Sequence, residues 1–145
     1  MKNKKGFTLV ELVIVIIIVG ILSIVGVVTY RNYVQRSIET EGLALLGTLA
    51  RAEDMYYSAH GEYYTMPNPV SNNYSTYDEN LGVDCSGNKY FTKFRCGISD
   101  GKVFLIVKCF TGNPQFAFRM EIGNRDEIYV TYDNFLTWQR YKYSH

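Results

Sequence analysis

Glu11 is the residue whose type and position first suggest chemistry. It is the one charged side chain between Phe7 and Tyr30, in a run dominated by valine and isoleucine. An aspartate near the centre of such a run costs about 2.5–3.5 kcal/mol by membrane-insertion scales, and the cost is smaller near the ends. Acidic residues in apolar segments therefore usually mark function and have a partner. If the bond between Gly6 and Phe7 were cut, the new amino group of Phe7 would lie one helical turn from Glu11 and would be that partner.

Patterns typical of enzymes and metal sites are missing from the sequence. His60 and His145 are far apart, and each lies near the end of a segment. The chain contains no HExxH, no CxxC and no glycine-rich phosphate loop. We therefore predict that the protein is not an enzyme and that it has no cofactor and no metal site.

The run that contains Glu11 is long enough to cross a membrane as a helix. From Phe7 to Tyr30 it would reach about 36 Å, against roughly 30 Å for a hydrocarbon core. Three lysines precede the run, so its N-terminus is expected in the cytoplasm and the remainder of the chain outside. An ordinary secretory signal is cut after its apolar core, whereas Gly6 lies before this one. Cleavage at Gly6 would leave the apolar helix on the mature chain.

The segment from Gly6 to Leu12, GFTLVEL, resembles the processing site of type IV pilins and of the pseudopilins of type II secretion. The resemblance implies cleavage between Gly6 and Phe7 by a membrane-embedded prepilin peptidase, and N-methylation of Phe7. It also implies that Glu11 pairs with the N-terminal amine of a neighbouring subunit during filament assembly. The likeness is close over about 25 residues and weaker up to about Thr65.

A member of this family would be a structural subunit of a type IV pilus, a surface filament for adhesion, motility or DNA uptake. The alternative is a pseudopilin of type II secretion. Many major pilins carry a proline near the position of Val28, and its absence favours a pseudopilin or minor subunit, whereas a disulfide in the head favours a pilin. A membrane-anchored binding module that does not polymerise is a third, less favoured alternative.

The resemblance also implies partners and a location. The partners would be further copies of the chain joined through their N-terminal helices, the prepilin peptidase, the inner-membrane assembly machinery, and minor pilins or pseudopilins. The protein would cross the inner membrane once, with its N-terminus in the cytoplasm, and then enter an extracellular pilus or a periplasmic pseudopilus.

The pattern of apolar residues predicts an α+β protein. We expect a cleaved leader at 1–6, a transmembrane and filament-core helix at 7–30, and a head at 31–145. Within the head, 31–59 should form an amphipathic helix, ended by a glycine, that packs on a four-stranded antiparallel sheet at 88–134. The segment Met66 to Asn88 reads as a long loop.

Alternating apolar residues predict the four strands of the head. They lie at 90–98, 103–109, 116–122 and 128–132. Between the first two strands, the sequence Ser-Asp-Gly-Lys is a strong hairpin signal. A two-residue turn at Asp100-Gly101 would place Cys96 opposite Leu105.

Three cysteines lie in the head, which is an odd number for an oxidising compartment. Cys96 and Cys109 would share a face but lie four positions apart, about 13 Å, too far for a bridge. We predict a Cys85–Cys109 disulfide, with Cys96 a buried free thiol. A Cys85–Cys96 disulfide is the alternative.

The net charge gives no indication of a nucleic-acid-binding protein. The whole chain carries +1, and removal of the leader with its three lysines leaves 12 basic and 14 acidic residues, a net charge of −2. Binding to a phosphate backbone depends on clustered positive charge. We therefore predict no contact with nucleic acid.

Overall fold

The computed structural model describes residues 6–66, 74–109, 117–132 and 137–142. The chain divides into two compact units, Met1–Ser37 and Ile38–His145. The elements in chain order are α1 (Leu9–His60), β1 (Tyr77–Asp78), β2 (Val83–Asp84), β3 (Lys93–Ser99), β4 (Lys102–Lys108), β5 (Ala117–Glu121), β6 (Asn124–Thr131) and β7 (Gln139–Arg140).

The first unit is the apolar part of α1, and its side chains are exposed along almost the whole length. Within the described residues, this helix is long and apolar enough to cross a membrane, a test that signal sequences also pass. Two of its small polar side chains bond to the helix itself. Ser23 Oγ donates to Val19 O at 2.7 Å, and Thr29 Oγ1 donates to Val25 O at 3.0 Å. Polar groups satisfied in this way are compatible with an apolar environment.

In the second unit, α1 buries the face that the sequence predicts. Leu45, Leu46, Leu49 and Ala50 are buried. The helix ends at His60, one residue beyond the predicted boundary. Gly61 follows with φ +77° and donates its N–H to Tyr57 O at 2.8 Å, an arrangement typical of a C-terminal helix cap.

The prediction of an α+β head is confirmed, and the two-residue hairpin is confirmed with its register. Asp100 and Gly101 have φ values of +53° and +74°, as a type I′ turn requires. This turn places Cys96 opposite Leu105. The sheet is antiparallel throughout, in the order β3-β4-β5-β6-β7.

The number of strands was wrong, because the sheet has five strands. Strand β7 is only two residues long, too short to show alternation, and it lies beyond the predicted limit of 134. Strand β6 begins at Asn124 rather than at the predicted Ile128. Its first residues are polar and exposed, so the alternation of apolar residues did not include them. A register shift between Met120 and Glu121 accompanies this irregular start.

The predicted loop from Met66 to Asn88 contains a small sheet of its own, formed by β1 and β2. Asp78 Oδ1 accepts the N–H groups of Asn80 at 3.0 Å and of Leu81 at 3.2 Å, which closes the turn. Turns held by an aspartate carry no hydrophobic periodicity, so the pattern alone could not reveal these strands.

The core of the second unit lies between α1 and the sheet. Phe91, Phe94 and Phe118 are its largest fully buried side chains. Gly42 is where the helix comes closest to them. A Cβ there would lie 2.7 Å from Cζ of Phe91 and from Cδ2 of Phe118. The absence of a side chain at this position is therefore required by the packing.

Candidate functional site

The N-terminal end of α1 carries the predicted site residues. Gly6, Phe7 and Thr8 precede the helix, and the side chain of Phe7 is 83% exposed. Glu11 Oε2 accepts hydrogen bonds from Thr8 N and Thr8 Oγ1, both at 2.8 Å. In return, Glu11 N donates to Thr8 Oγ1 at 3.3 Å. The two residues form a capping box.

This arrangement gives Glu11 a partner within its own chain. A capping box satisfies N–H groups that the first helical turn would otherwise leave unpaired, and a carboxylate there complements the helix dipole. The Gly6–Phe7 peptide bond lies outside the helix, and apart from the two chain neighbours no atom of the described residues comes within 4 Å of where a Gly6 Cβ would be. A protease could therefore reach this bond without unwinding α1.

Thr8 is a residue of this site that the sequence prediction missed as a participant. The signal was available, since a threonine followed three residues later by glutamate, just before an apolar run, is the pattern of a capping box. The resemblance implies roles for Phe7 and Glu11 and none for Thr8.

The three cysteines are all buried, and the structure holds all three as thiols. Cys85 Sγ donates to Thr76 O at 3.2 Å. Burial raises the pKa of the Cys85 thiol to about 11. Burial, together with the Glu53 carboxyl, also raises the pKa of Cys96. Thiols with raised pKa values, such as those of Cys85 and Cys96, are weak nucleophiles. The Cys85–Cys109 disulfide stays a prediction.

Carboxylates on α1 hold separate segments of the second unit. Glu41 Oε1 accepts the backbone N–H groups of Tyr90 at 2.6 Å and of Phe91 at 2.8 Å. Glu39 Oε2 accepts the Tyr141 hydroxyl at 2.8 Å, which fixes the segment after β7. These contacts join residues 49 to 102 positions apart, so sequence periodicity could not predict them.

Asp54 and Glu53 extend the same pattern. Arg125, after the β5–β6 turn, binds both carboxylate oxygens of Asp54, with Nη1 2.8 Å from Oδ2. Glu53 is fully buried, and its Oε2 accepts Tyr64 N at 3.0 Å. Within the described part of the chain, its Oε1 has no hydrogen-bond partner. Burial raises the pKa of Glu53, while contacts with Cys96 and Tyr64 lower it in part.

Residues 1–27 match the family model described as a prokaryotic N-terminal methylation motif. The chain is 47% identical over 58 residues to the fimbrial protein EcpC of Eikenella corrodens, which covers 40% of this chain and 38% of that protein. It is 43% identical over 60 residues to the type IV major pilin protein PilE1 of Neisseria gonorrhoeae, covering 41% and 36%. A fimbrial protein of Pseudomonas aeruginosa is 32% identical over 88 residues, covering 60% and 57%.

The matched regions span about a third of the first two relatives and about half of the third. What those proteins do as wholes therefore bears on this chain only as a proposal. No solved structure matches the chain.

Proposed function

The chain has the N-terminal motif and the relatives of the type IV pilin family, and from that premise we propose that it is a structural subunit of a type IV pilus. Prepilin peptidase cuts it between Gly6 and Phe7, and Phe7 is then N-methylated. The mature chain polymerises through α1. A structural role, without catalysis, agrees with the names of the relatives.

The observation that carries the proposal is the exposed apolar surface of α1 behind an accessible Gly6–Phe7 bond. Large apolar side chains from Phe7 to Val28 are 39% to 83% exposed. Soluble monomers rarely expose contiguous apolar surface on this scale. Two environments would cover it, a lipid bilayer before assembly and a bundle of like helices afterwards. Moving from the first to the second would keep this surface away from water at every stage.

Glu11 would control the step between these environments. Before cleavage, its carboxylate is satisfied by Thr8. Cleavage creates an ammonium group at Phe7, and in a bundle the carboxylate of one subunit pairs with the ammonium of its neighbour. Such a pair would let the two charges neutralise each other in an apolar surrounding, and it would fix the axial register of the subunits.

The protein would begin as a single-pass protein of the inner membrane, with its N-terminus in the cytoplasm. Its partners would be the prepilin peptidase, the assembly machinery of that membrane, further copies of itself and minor pilins. The mature protein would lie in an extracellular filament, with the second unit forming its surface.

The test is the intact mass and the N-terminal residue of the protein, recovered from membranes and from sheared surface material. We expect a chain that begins at N-methylated Phe7 and is abundant in the sheared fraction. A processed chain confined to membranes would contradict the proposal that the protein builds a surface pilus, and it would favour a pseudopilin or a minor subunit. A retained Met1 would contradict processing and favour a membrane-anchored module.

A variant of the cleavage site separates processing from folding. Gly6→Val places a branched side chain beside the bond to be cut, where the structure has open space. We expect it to fold normally, to keep its leader and to be missing from the sheared fraction. Gly20→Ala is the control, because this position in α1 is equally open and lies far from the bond.

A further inference from the structure

The five-stranded sheet has an outer face on which basic residues outnumber acidic ones. Along each strand the side chains alternate between the core and this face. Phe94, Leu105, Phe118 and Val130 belong to the core side. The alternating positions place six basic residues on the outer face, namely Lys93, Arg95, Lys102, Lys108, Arg119 and Arg140. The net charge of the chain conceals this concentration.

The three arginines of this face lie in one cross-strand row. The register pairs Arg95 with Ile106, Ile106 with Arg119, Arg119 with Tyr129, and Tyr129 with Arg140. Since neighbouring strands are about 4.8 Å apart, the guanidinium-bearing positions recur about every 10 Å and the row extends across about 19 Å. An arginine on every second strand gives a regular line of positive charge.

Beside this row, two lysines lie directly opposite each other on adjacent strands. Lys93 pairs with Lys108 in the register. Like charges in this position destabilise a sheet. Burial and the charge of Lys93 both lower the pKa of Lys108, which agrees with mutual repulsion.

The acidic residues of the face are engaged at its margins. Glu121 Oε2 lies 3.2 Å from Lys102 Nζ, beside the hairpin turn. Glu127 Oε1 lies 3.3 Å from Arg140 Nη2, at the edge strand. In the described residues, neither carboxylate is in an ion pair with the arginines at the centre of the row.

At the centre, Arg95 and Arg119 line a cavity of about 170 Å³ together with Phe104 and Ile106. The guanidinium of Arg119 lies 3.5 Å from the ring centroid of Phe104. Its Nε is buried and has no hydrogen-bond partner among the described residues. A buried donor without a partner is uncommon in folded proteins and needs an explanation, such as a missing ligand.

We propose that this outer face binds an acidic polysaccharide that runs across the strands. One carboxylate or sulfate group occupies the cavity between Arg95 and Arg119, and the polysaccharide continues across the strands toward Arg140, which is paired with Glu127 at the edge of the sheet. Guanidinium groups suit these anions because they donate two parallel hydrogen bonds. The cavity is smaller than the 300–1,000 Å³ typical of sites for whole small molecules, so it holds one group of a longer chain.

The contacts of the aromatic residues favour a polysaccharide over single-stranded nucleic acid. Binding to single strands relies on open aromatic faces on which bases stack. Here Phe104 is covered by Arg119, and Tyr74 lies beneath Lys108 Nζ at 5.4 Å. Duplex DNA binds through many phosphate contacts along its backbone, whereas the central row of this face offers three guanidinium groups.

The experiment measures binding of the full-length chain in nonionic detergent to three probes, namely heparin, polygalacturonate and duplex DNA. The salt concentration is the same in each titration. We expect heparin or polygalacturonate to bind more tightly than DNA. Failure of both polysaccharides to bind at low salt would overturn the proposal. Tighter binding of DNA would overturn the assignment of the ligand class.

Matched variants test the arginine row. Arg95→Gln with Arg119→Gln should weaken binding of the polysaccharide at least tenfold. Arg119→Lys alone keeps the charge but loses the paired donors, and should weaken binding by a smaller factor. The control is Arg51→Gln, an exposed residue of α1 outside the face, which removes one charge and should change binding less than twofold. Equal weakening in the control would show non-specific attraction. Thermal unfolding of each variant verifies that it is folded.

Discussion

Two glutamates of the same helix, Glu11 and Glu53, are stabilised in opposite ways. Glu11 lies among exposed apolar residues and takes its hydrogen bonds from Thr8, three positions away. Glu53 is fully buried and takes its hydrogen bond from Tyr64, beyond the end of the helix. Each is an acid in an apolar surrounding. One is satisfied by its own helical turn, and the other by tertiary structure.

This difference indicates that the two parts of α1 have different roles. A residue satisfied locally contributes little to holding the rest of the chain, so it is available to partners outside the chain. A residue satisfied by distant segments helps to fix them. Glu41 and Asp54 act like Glu53, since each binds a segment remote in sequence. We therefore expect substitutions at Glu11 to affect assembly, and substitutions in the second unit to affect folding.

The strongest test of this division is Glu11→Gln. Glutamine can still accept a hydrogen bond from Thr8 but cannot neutralise a neighbouring ammonium. We expect cleavage at Gly6 to continue and the yield of sheared filament to fall at least tenfold, with the melting temperature of the chain unchanged. Filament yield and thermal unfolding in detergent are the two measurements.

The control for this variant is Glu62→Gln, at an exposed acid just beyond the end of α1, which should leave the yield unchanged. A Glu11→Gln chain that assembled normally would remove the charge pair from the mechanism. A lowered melting temperature would contradict the division between the two parts of the helix.

The next largest effect is expected at Gly42. An alanine Cβ would come within 2.7 Å of two phenyl rings, so Gly42→Ala must displace Phe91 or Phe118. Overpacking of a core typically costs 1–3 kcal/mol, and we expect the free energy of unfolding to fall by about 2 kcal/mol. Urea unfolding of the full chain in detergent measures the change.

Gly47 is the matched control, because a Cβ there meets nothing within 4 Å. Gly47→Ala should stabilise the protein by about 1 kcal/mol through helix propensity alone. If both variants changed stability in the same direction, close packing at Gly42 would not be the reason for its glycine.

These glycines also show what the sequence could and could not predict. Both break the helical pattern equally in the sequence, and only the structure distinguishes them. Local signals were sufficient for the length of α1, its cap at Gly61 and the hairpin at Asp100, because each depends on neighbouring residues. The strand β7 and the contacts of Glu41 depend on segments far apart in the chain, so no local pattern contains them.

The charge of the sheet is a second example. A net charge sums over all surfaces, whereas binding depends on where the charges lie. Arg95, Arg119 and Arg140 become one row only when the register of five strands is known. The prediction of no contact with nucleic acid followed from the sum, whereas the row of arginines on the outer face is visible only in the register.

The stability of the protein should depend on pH through Glu53. Burial holds the pKa of Glu53 above its ordinary value of 4.5. Between that value and the pKa of the folded protein, the unfolded chain loses the proton and the folded chain keeps it. The free energy of unfolding should therefore fall as the pH rises from about 4.5 through the folded pKa. Glu53→Gln cannot ionise and should abolish this loss in urea titrations.

Asp54, the next residue, provides a control of opposite sign. Hydrogen bonds from Arg125 lower the pKa of Asp54 below its ordinary value of 3.8. Its contribution to stability is present above 3.8 and is lost as the pH falls through the folded pKa. In a plot of the free energy of unfolding against pH, Asp54→Asn should therefore reduce only the loss of stability at acid pH. If Glu53→Gln left the loss above pH 4.5 intact, another group would be responsible for it.

The smallest effect is expected at Thr8, which donates two hydrogen bonds to Glu11 Oε2. Thr8→Ala removes the hydroxyl of the capping box, which typically costs about 1 kcal/mol of helix stability. We expect faster amide hydrogen exchange for the first turn of α1 in detergent, and no change in the second unit. Thr48→Ala is the control, because Thr48 Oγ1 bonds to Ala44 O within the helix and alanine is the better helix former. Equal exchange in both variants would mean that Glu11 is not held by Thr8, and that its carboxylate is available to a partner before cleavage as well as after it.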